Sequence, residues 1–72
     1  MTRTQIRLDT LTEVNNFISA MTRLNEDVWL EDGSGMRVNA RSLLGCLYSL
    51  EWARIYCCCG KDINMHLMPW VT

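Results

Sequence analysis

The 72-residue chain has room for one domain with one modest hydrophobic core. Its seven basic and eight acidic residues give a formal net charge of -1, which argues against a nucleic-acid-binding protein with its clustered basic excess. No apolar run approaches the roughly 20 residues of a membrane span, and residues 1–25 lack the apolar core of a signal peptide. The sequence therefore predicts a cytoplasmic protein with neither a membrane nor a nucleic acid as its partner.

The first third of the chain predicts a strand and then a helix. Residues 2–9 alternate between polar and apolar, which places Ile6 and Leu8 on the buried side of a strand. Thr10, followed by Glu13 three residues later, has the capping-box pattern, so a helix is expected from there to about residue 24. Its expected apolar stripe comprises Leu11, Val14, Phe17, Ile18, Met21 and Leu24.

The next segment predicts a β-hairpin. In a strand over residues 27–31, Val28 and Leu30 share one face and Trp29 lies on the other. Residues 32–35 contain two glycines and are expected to form the turn, after which residues 36–39 return as a third strand.

A second helix is expected over residues 40–50, with Asn39 as its N-cap. Gly45 in the interior of this helix costs about 1 kcal/mol relative to alanine, which indicates that the helix approaches the sheet closely. Four leucines fall on one side of the helix at helical spacing: Leu43, Leu44, Leu47 and Leu50.

Residues 52–59 predict a fourth strand that ends at Gly60, and residues 61–72 leave room for one or two helical turns interrupted by Pro69. The order of elements is strand, helix, strand, strand, helix, strand. It predicts an α+β fold over residues 1–72 as a single domain, with a four-stranded antiparallel sheet and helices packed on one face.

The cysteines are expected to be reduced, since three of the four are consecutive and adjacent strand residues point to opposite faces. Cys46, Cys57 and Cys59 are interpreted as small core residues. Cys58 should lie on the open face of the sheet with an accessible thiol, and an alternative function is a thiol or metal sensor built on Cys57 to Cys59. No zinc-type cysteine spacing occurs, and His66 is interpreted as an ordinary tail residue, so neither a metal nor another cofactor is expected.

The open face of the sheet is expected to collect aromatic and arginine side chains. Cross-strand packing and cation–π contacts are the favoured role for this face, and a dimer interface or partner-binding surface is the alternative. Its expected members include Arg7, Trp29, Arg37, Arg54 and Tyr56.

The segment Val-Asn-Ala-Arg-Ser-Leu-Leu-Gly-Cys-Leu-Tyr-Ser-Leu at residues 38–50 resembles the second-helix segment of HPr, the small phosphocarrier of the bacterial sugar phosphotransferase system. That family has a basic residue, Ser, two apolar residues, Gly, two apolar residues, Ser and Leu after a polar strand end. The resemblance implies an HPr-like open-faced sandwich. Only about a dozen residues follow the last strand, so the family's third helix would be truncated or absent.

The resemblance does not extend to the phosphorylated histidine. The family's Gly-x-His-Ala-Arg-Pro motif is missing, and by position Thr10 and Thr12 stand about where the histidine and the arginine would be. Glu13 adds negative charge where a phosphate would be held. We therefore expect an HPr-like domain that has lost phosphohistidine carriage and is not an enzyme.

Ser42 matches the serine that a dedicated kinase phosphorylates in many members of the family, so the resemblance implies a regulatory site there. Arg41 is a candidate counter-charge; the alternative is that Ser42 is an ordinary early-helix residue. The family also docks proteins on the apolar residues after the serine, although most of these leucines would alternatively be core. The implied partner-binding set is Arg41, Leu43, Leu44 and Leu47. The expected partner is a protein, such as a phosphotransferase-system or regulatory protein or a second copy of the chain.

Overall fold

The computed structural model describes residues 1–61 and 68–71. The elements follow the predicted order of strands and helices. They are β1 (Thr2–Ile6), α1 (Leu11–Thr22), β2 (Val28–Glu31), β3 (Arg37–Asn39), α2 (Leu43–Ser49) and β4 (Ile55–Cys59). None of the helices in the described part of the chain has the length and apolar character needed to cross a membrane.

The four strands form one antiparallel sheet in the order β1-β4-β2-β3. The last strand is therefore inserted between β1 and β2, with Ile55 opposite Ile6 and Cys58 opposite both Arg3 and Trp29. The hairpin turn between β2 and β3 has positive φ angles at Gly33 (89°) and Gly35 (112°), a backbone conformation that glycine adopts without strain.

The core lies between one face of the sheet and the two helices, as the alternation along the strands predicts. Phe17 of α1 is fully buried and contacts Trp70 edge to face, with ring centroids 5.3 Å apart. The chain near its C-terminal end also pairs with β1. The Arg7 N–H donates to the Trp70 carbonyl at 2.8 Å, and Val71 forms a β-bridge with Ile6. The α+β class and the four-stranded antiparallel sheet are thereby confirmed.

Several predicted boundaries differ from the structure. Helix α1 ends at Thr22, and Leu11, placed in the apolar stripe by the sequence, is exposed. Strand β4 begins at Ile55 rather than at residue 52, because the chain after α2 continues as turns in which the Trp52 N–H donates to the Ser49 carbonyl. The tail helix and His66 fall largely or wholly on residues 62–67, outside the described residues.

Helix α2 begins at Leu43, and its N-cap is Ser42 rather than the predicted Asn39. The reason is a turn at the end of β3. The Asn39 carbonyl accepts from the Ser42 N–H at 3.1 Å, and the Asn39 side-chain oxygen accepts from the Arg41 N–H at 2.9 Å. These two bonds use Asn39 to hold the connection between strand and helix, which delays the helix by three residues.

Candidate functional site

Helix α2 is anchored by small residues on its inner side. The Ser42 hydroxyl accepts the Gly45 N–H at 3.2 Å, which satisfies one of the free donors of the first turn. Cys46 and Ser49 are the buried residues of the helix. Their side chains are satisfied locally, because the Cys46 thiol donates to the Ala40 carbonyl and the Ser49 hydroxyl donates to the Cys46 carbonyl at 2.6 Å.

Gly45 lies where α2 approaches the end of β3 most closely. A Cβ atom on this residue would stand 3.1 Å from the Asn39 carbonyl oxygen and 3.2 Å from the Val38 Cβ. Both distances are below ordinary van der Waals contact, so a side chain at this position would force the helix away from the sheet. The close approach that the interior glycine predicts is confirmed.

The side of α2 that faces solvent is apolar. Leu44 is 81% exposed and Tyr48 55%, and Leu43, Leu47 and Leu50 are between 36% and 47% exposed. We call these five residues the α2 surface. Leu43 with Leu47, and Leu44 with Tyr48, form two parallel ridges at the four-residue spacing of a helix. The predicted clustering of the leucines on one side is confirmed, but the alternative that most of them are core is wrong.

Arg41 precedes α2 but turns away from the α2 surface. Its Nε donates to the Met21 carbonyl at 2.9 Å, and its terminal nitrogen donates to the carbonyls of Leu24 (a short contact) and Glu26 (2.7 Å). The guanidinium thereby caps the carboxyl end of α1, where a positive charge is favourable. The role of Arg41 in partner binding stays a prediction. Because the guanidinium is bound at the end of α1, this geometry disfavours both that role and the role of counter-charge to Ser42.

The loop before α1, where the resemblance places the phosphohistidine, is a helix cap. The Thr10 hydroxyl accepts the Glu13 N–H at 3.1 Å, and the Glu13 carboxylate accepts the Asp9 N–H at 3.1 Å. This confirms the capping pattern. Thr12 is exposed in the first turn. The adjacent 350 Å³ cleft contains the ion pair between Arg7 and Asp9, whose charged atoms lie 2.8 Å apart, and no histidine contributes to its lining among the described residues.

Two arginines cover the aromatic rings on the open face of the sheet. The guanidinium carbon of Arg3 lies 4.1 Å from the centre of the Tyr56 ring, and that of Arg37 lies 5.1 Å from a ring centre of Trp29. These cation–π contacts confirm the predicted packing for Trp29, Arg37 and Tyr56, but the arginine over Tyr56 is Arg3, which was not among the expected members. They also occupy the ring faces that a binding partner would need for stacking.

Glu31 joins these groups at the middle of the open face. Its carboxylate accepts the Trp29 indole N–H at 3.1 Å and forms ion pairs with Arg37 (3.0 Å) and Arg3 (3.5 Å). The Cys58 thiol also donates to it at 3.5 Å. The Trp29 hydrogen bond is the main reason that the pKa of Glu31 is lowered, and the thiol and both arginines act in the same direction.

Cys58 lies beneath this network and is not accessible, contrary to the prediction from the sequence. The four cysteines are free and buried, and burial raises the pKa of Cys58 and of Cys46 to about 11 and that of Cys57 to about 12. Thiols of this kind are poor nucleophiles at neutral pH. The described residues include no group of three or more side chains able to hold a metal ion.

No family model, curated protein or solved structure matches the chain. The resemblance to HPr therefore rests on residues 38–50 and on the order of the elements. Sequence reasoning did not anticipate the exposure of Leu50 or the capping role of Arg41. Leu50 was placed on the leucine side of α2 but outside the partner-binding set, and the capping role of Arg41 depends on contacts with residues 21–26 that no local pattern signals.

Proposed function

We propose that this chain is an HPr-like domain without phosphohistidine carriage, and that it acts by binding a protein through the α2 surface rather than by catalysis. The observation that carries the proposal is the exposure of the α2 surface, led by Leu44 at 81%. Contiguous apolar surface of this kind is unfavourable in water and typically marks an interaction site. The proposed absence of phosphohistidine chemistry is supported by Thr10 and Thr12, which stand about where the family has its histidine and arginine.

The composition around the α2 surface suits an apolar contact. Residues 42–50 contain no charged side chain, and the preceding Arg41 directs its guanidinium into the protein. Tyr48 contacts Trp52 edge to face, with ring centroids 6.3 Å apart, so its ring is supported from one side. A supported aromatic residue beside exposed leucines has the character of a binding hot spot.

Ser42 gives this surface a candidate switch. Phosphorylation would add about 1.5 to 2 negative charges at the start of α2, directly before Leu43. Because the Arg41 guanidinium is bound to the end of α1, the phosphate would have no counter-charge from that residue. We therefore expect phosphorylation of Ser42 to weaken apolar binding through the α2 surface.

Site-specific photo-crosslinking in cells that produce the protein tests the binding proposal. A photoreactive amino acid replaces Leu44 in one variant and Gln5 in the control, since Gln5 lies on β1 and is also exposed. We expect discrete protein adducts at position 44 that are absent at position 5. Adducts at neither position, or the same adducts at both, would contradict the proposal.

Intact mass tests the switch and the missing carriage separately. The chain and its Ser42→Ala variant are incubated with ATP and an HPr serine kinase, or with phosphoenolpyruvate and the first enzyme of the phosphotransferase system. We expect one phosphate from the kinase, lost in the variant, and none from the first enzyme. A phosphate from the first enzyme would overturn the claim that carriage is lost, and no phosphate from the kinase would overturn the switch.

The two alternative functions have less support. A partner-binding module on the open sheet face would have to displace Arg3 and Arg37 from the aromatic rings. A thiol sensor would need an accessible thiolate, whereas Cys58 is buried and its pKa is raised to about 11 by burial. The α2 surface needs no such rearrangement before binding.

A further inference from the structure

We infer that the α2 surface binds a second copy of this chain, so that two α2 helices pack against each other about a two-fold axis. The inference rests on the proposed function, because it requires the α2 surface to be a protein-binding surface. It goes further by naming the partner. Three properties of the surface carry it: its area, its lack of charge and the arrangement of its ridges.

The α2 surface supplies about half to three quarters of the area that a stable dimer needs on each partner. With about 1.45 Å² of accessible surface per dalton of unfolded chain, the observed exposures amount to roughly 450 Å² over the five residues. The remaining area would come from polar residues around these five, since homodimer interfaces are about 65% apolar. Stable specific interfaces bury about 600 to 1,000 Å² on each partner.

The charge of the chain favours a second copy over a charged partner. Residues 42–50 present no charge that would select an acidic or a basic partner. The formal net charge of -1 also means that two copies repel each other only weakly. An uncharged apolar surface carries no like charges that would oppose a second copy of itself, so it is compatible with a two-fold contact.

The ridges of the α2 surface fit helix-to-helix packing. The ridge of Leu43 and Leu47 and the ridge of Leu44 and Tyr48 run side by side along α2, with a groove between them. Helices pack by placing such four-residue ridges into the grooves of a neighbour, in the class that crosses at about 50°. In the dimer, the ridge that carries Leu44 would enter the groove of the partner, because Leu44 is the most exposed of the five residues.

Analytical ultracentrifugation over about a hundredfold range of concentration tests the inference, since the population of a dimer depends on protein concentration. The samples are the unmodified chain, Leu44→Glu and the charge-matched control Gln5→Glu on β1. We expect the unmodified chain and the control to move from 8.4 kDa towards twice that mass. Leu44→Glu should associate at least about a hundredfold more weakly, because the dimer would bury an unpaired carboxylate.

Thermal unfolding of each variant shows that it is folded, so that a misfolded protein is not taken for a monomer. The inference is overturned if the unmodified chain stays at 8.4 kDa throughout, or if Leu44→Glu dimerises as well as the control. A monomeric chain that still crosslinks a different protein at position 44 would overturn the dimer and leave the proposed function standing. If position 44 gives no adduct either, both fail.

Discussion

Removing the hydrogen bonds of Arg41 should destabilise the fold strongly, because this one side chain holds the end of α1. The variant Arg41→Met keeps most of the aliphatic stem and removes the donors to the carbonyls of Met21, Leu24 and Glu26. A hydrogen bond to a charged group contributes about 1.5 to 3 kcal/mol. Since Arg41 is only half-buried, we take about 1 kcal/mol for each of the three bonds, below that range, and expect a loss of about 3 kcal/mol.

Urea unfolding at neutral pH measures this loss, and thermal unfolding should show a fall in Tm of about 12 to 24 °C for a domain of this size. The matched control is Arg23→Met, at the end of the same helix. Arg23 is exposed, and its side chain has no partner among the described residues. A loss below about 1 kcal/mol for Arg41→Met, or equal losses in the two variants, would refute this account of Arg41.

Three further predictions follow from contacts of single residues. Gly45→Ala should lower the free energy of unfolding by about 1 kcal/mol despite the better helix propensity of alanine, because the new methyl group would lie 3.1 Å from the Asn39 carbonyl oxygen; a more stable variant would contradict this. The thiol of Cys57, whose pKa is raised to about 12, stabilises the fold fully below its ordinary pKa of 9.0 and progressively less as the pH rises from there. At pH 10 the contribution of this thiol to the free energy of unfolding should therefore be about 1.4 kcal/mol smaller than at neutral pH. Cys57→Ala should remove this contribution to the pH dependence. The contribution would also be absent if the thiol kept its ordinary pKa in the folded protein. The carboxylate of Glu31, whose pKa is lowered from 4.5, stabilises the fold above that value and loses this effect as the pH falls through its folded pKa. On acidification, the free energy of unfolding should therefore fall less in Glu31→Gln than in the exposed control Glu51→Gln. An equal fall in the two variants would count against the network around Glu31.

The elements of the fold follow from local patterns in the sequence. Polar and apolar alternation predicted that Ile6 and Leu8 lie on the buried side of a strand over residues 2–9. Both are buried, although β1 ends at Ile6 and Leu8 follows it. The Thr10 and Glu13 pair indicated the start of α1, where both side chains make the capping contacts. These features depend on neighbours within a few residues, which is why a single sequence is enough to predict them.

The orientation of α2 depends on tertiary packing and was harder to predict from the sequence. Helical spacing places Leu43 and Leu47 on one side, but spacing alone does not say whether that side meets the sheet. The structure buries Cys46 and Ser49 instead, because a helix that approaches β3 as closely as Gly45 allows has room only for small side chains. The small residues opposite the leucines were the signal that the apolar side faces outward.

The contacts of Cys58 show a second limit of sequence reasoning. Alternation along β4 correctly places its side chain on the face opposite Cys57 and Cys59, but that face is not open above it. Arg3 and Glu31, from two neighbouring strands, close over the thiol. Burial of this residue therefore depends on side chains that are distant in the sequence. Alternation along β4 does not show that these side chains cover Cys58.

The central claim is that the apolar side of α2 faces solvent and serves binding rather than the core. The most direct test is the free energy of unfolding of Leu44→Glu, measured with urea at a protein concentration at which the chain is monomeric. A residue that is 81% exposed should tolerate this change within about 0.5 kcal/mol. A loss of more than about 4 kcal/mol, typical of a charge forced into a core, would place Leu44 inside the protein and contradict the account.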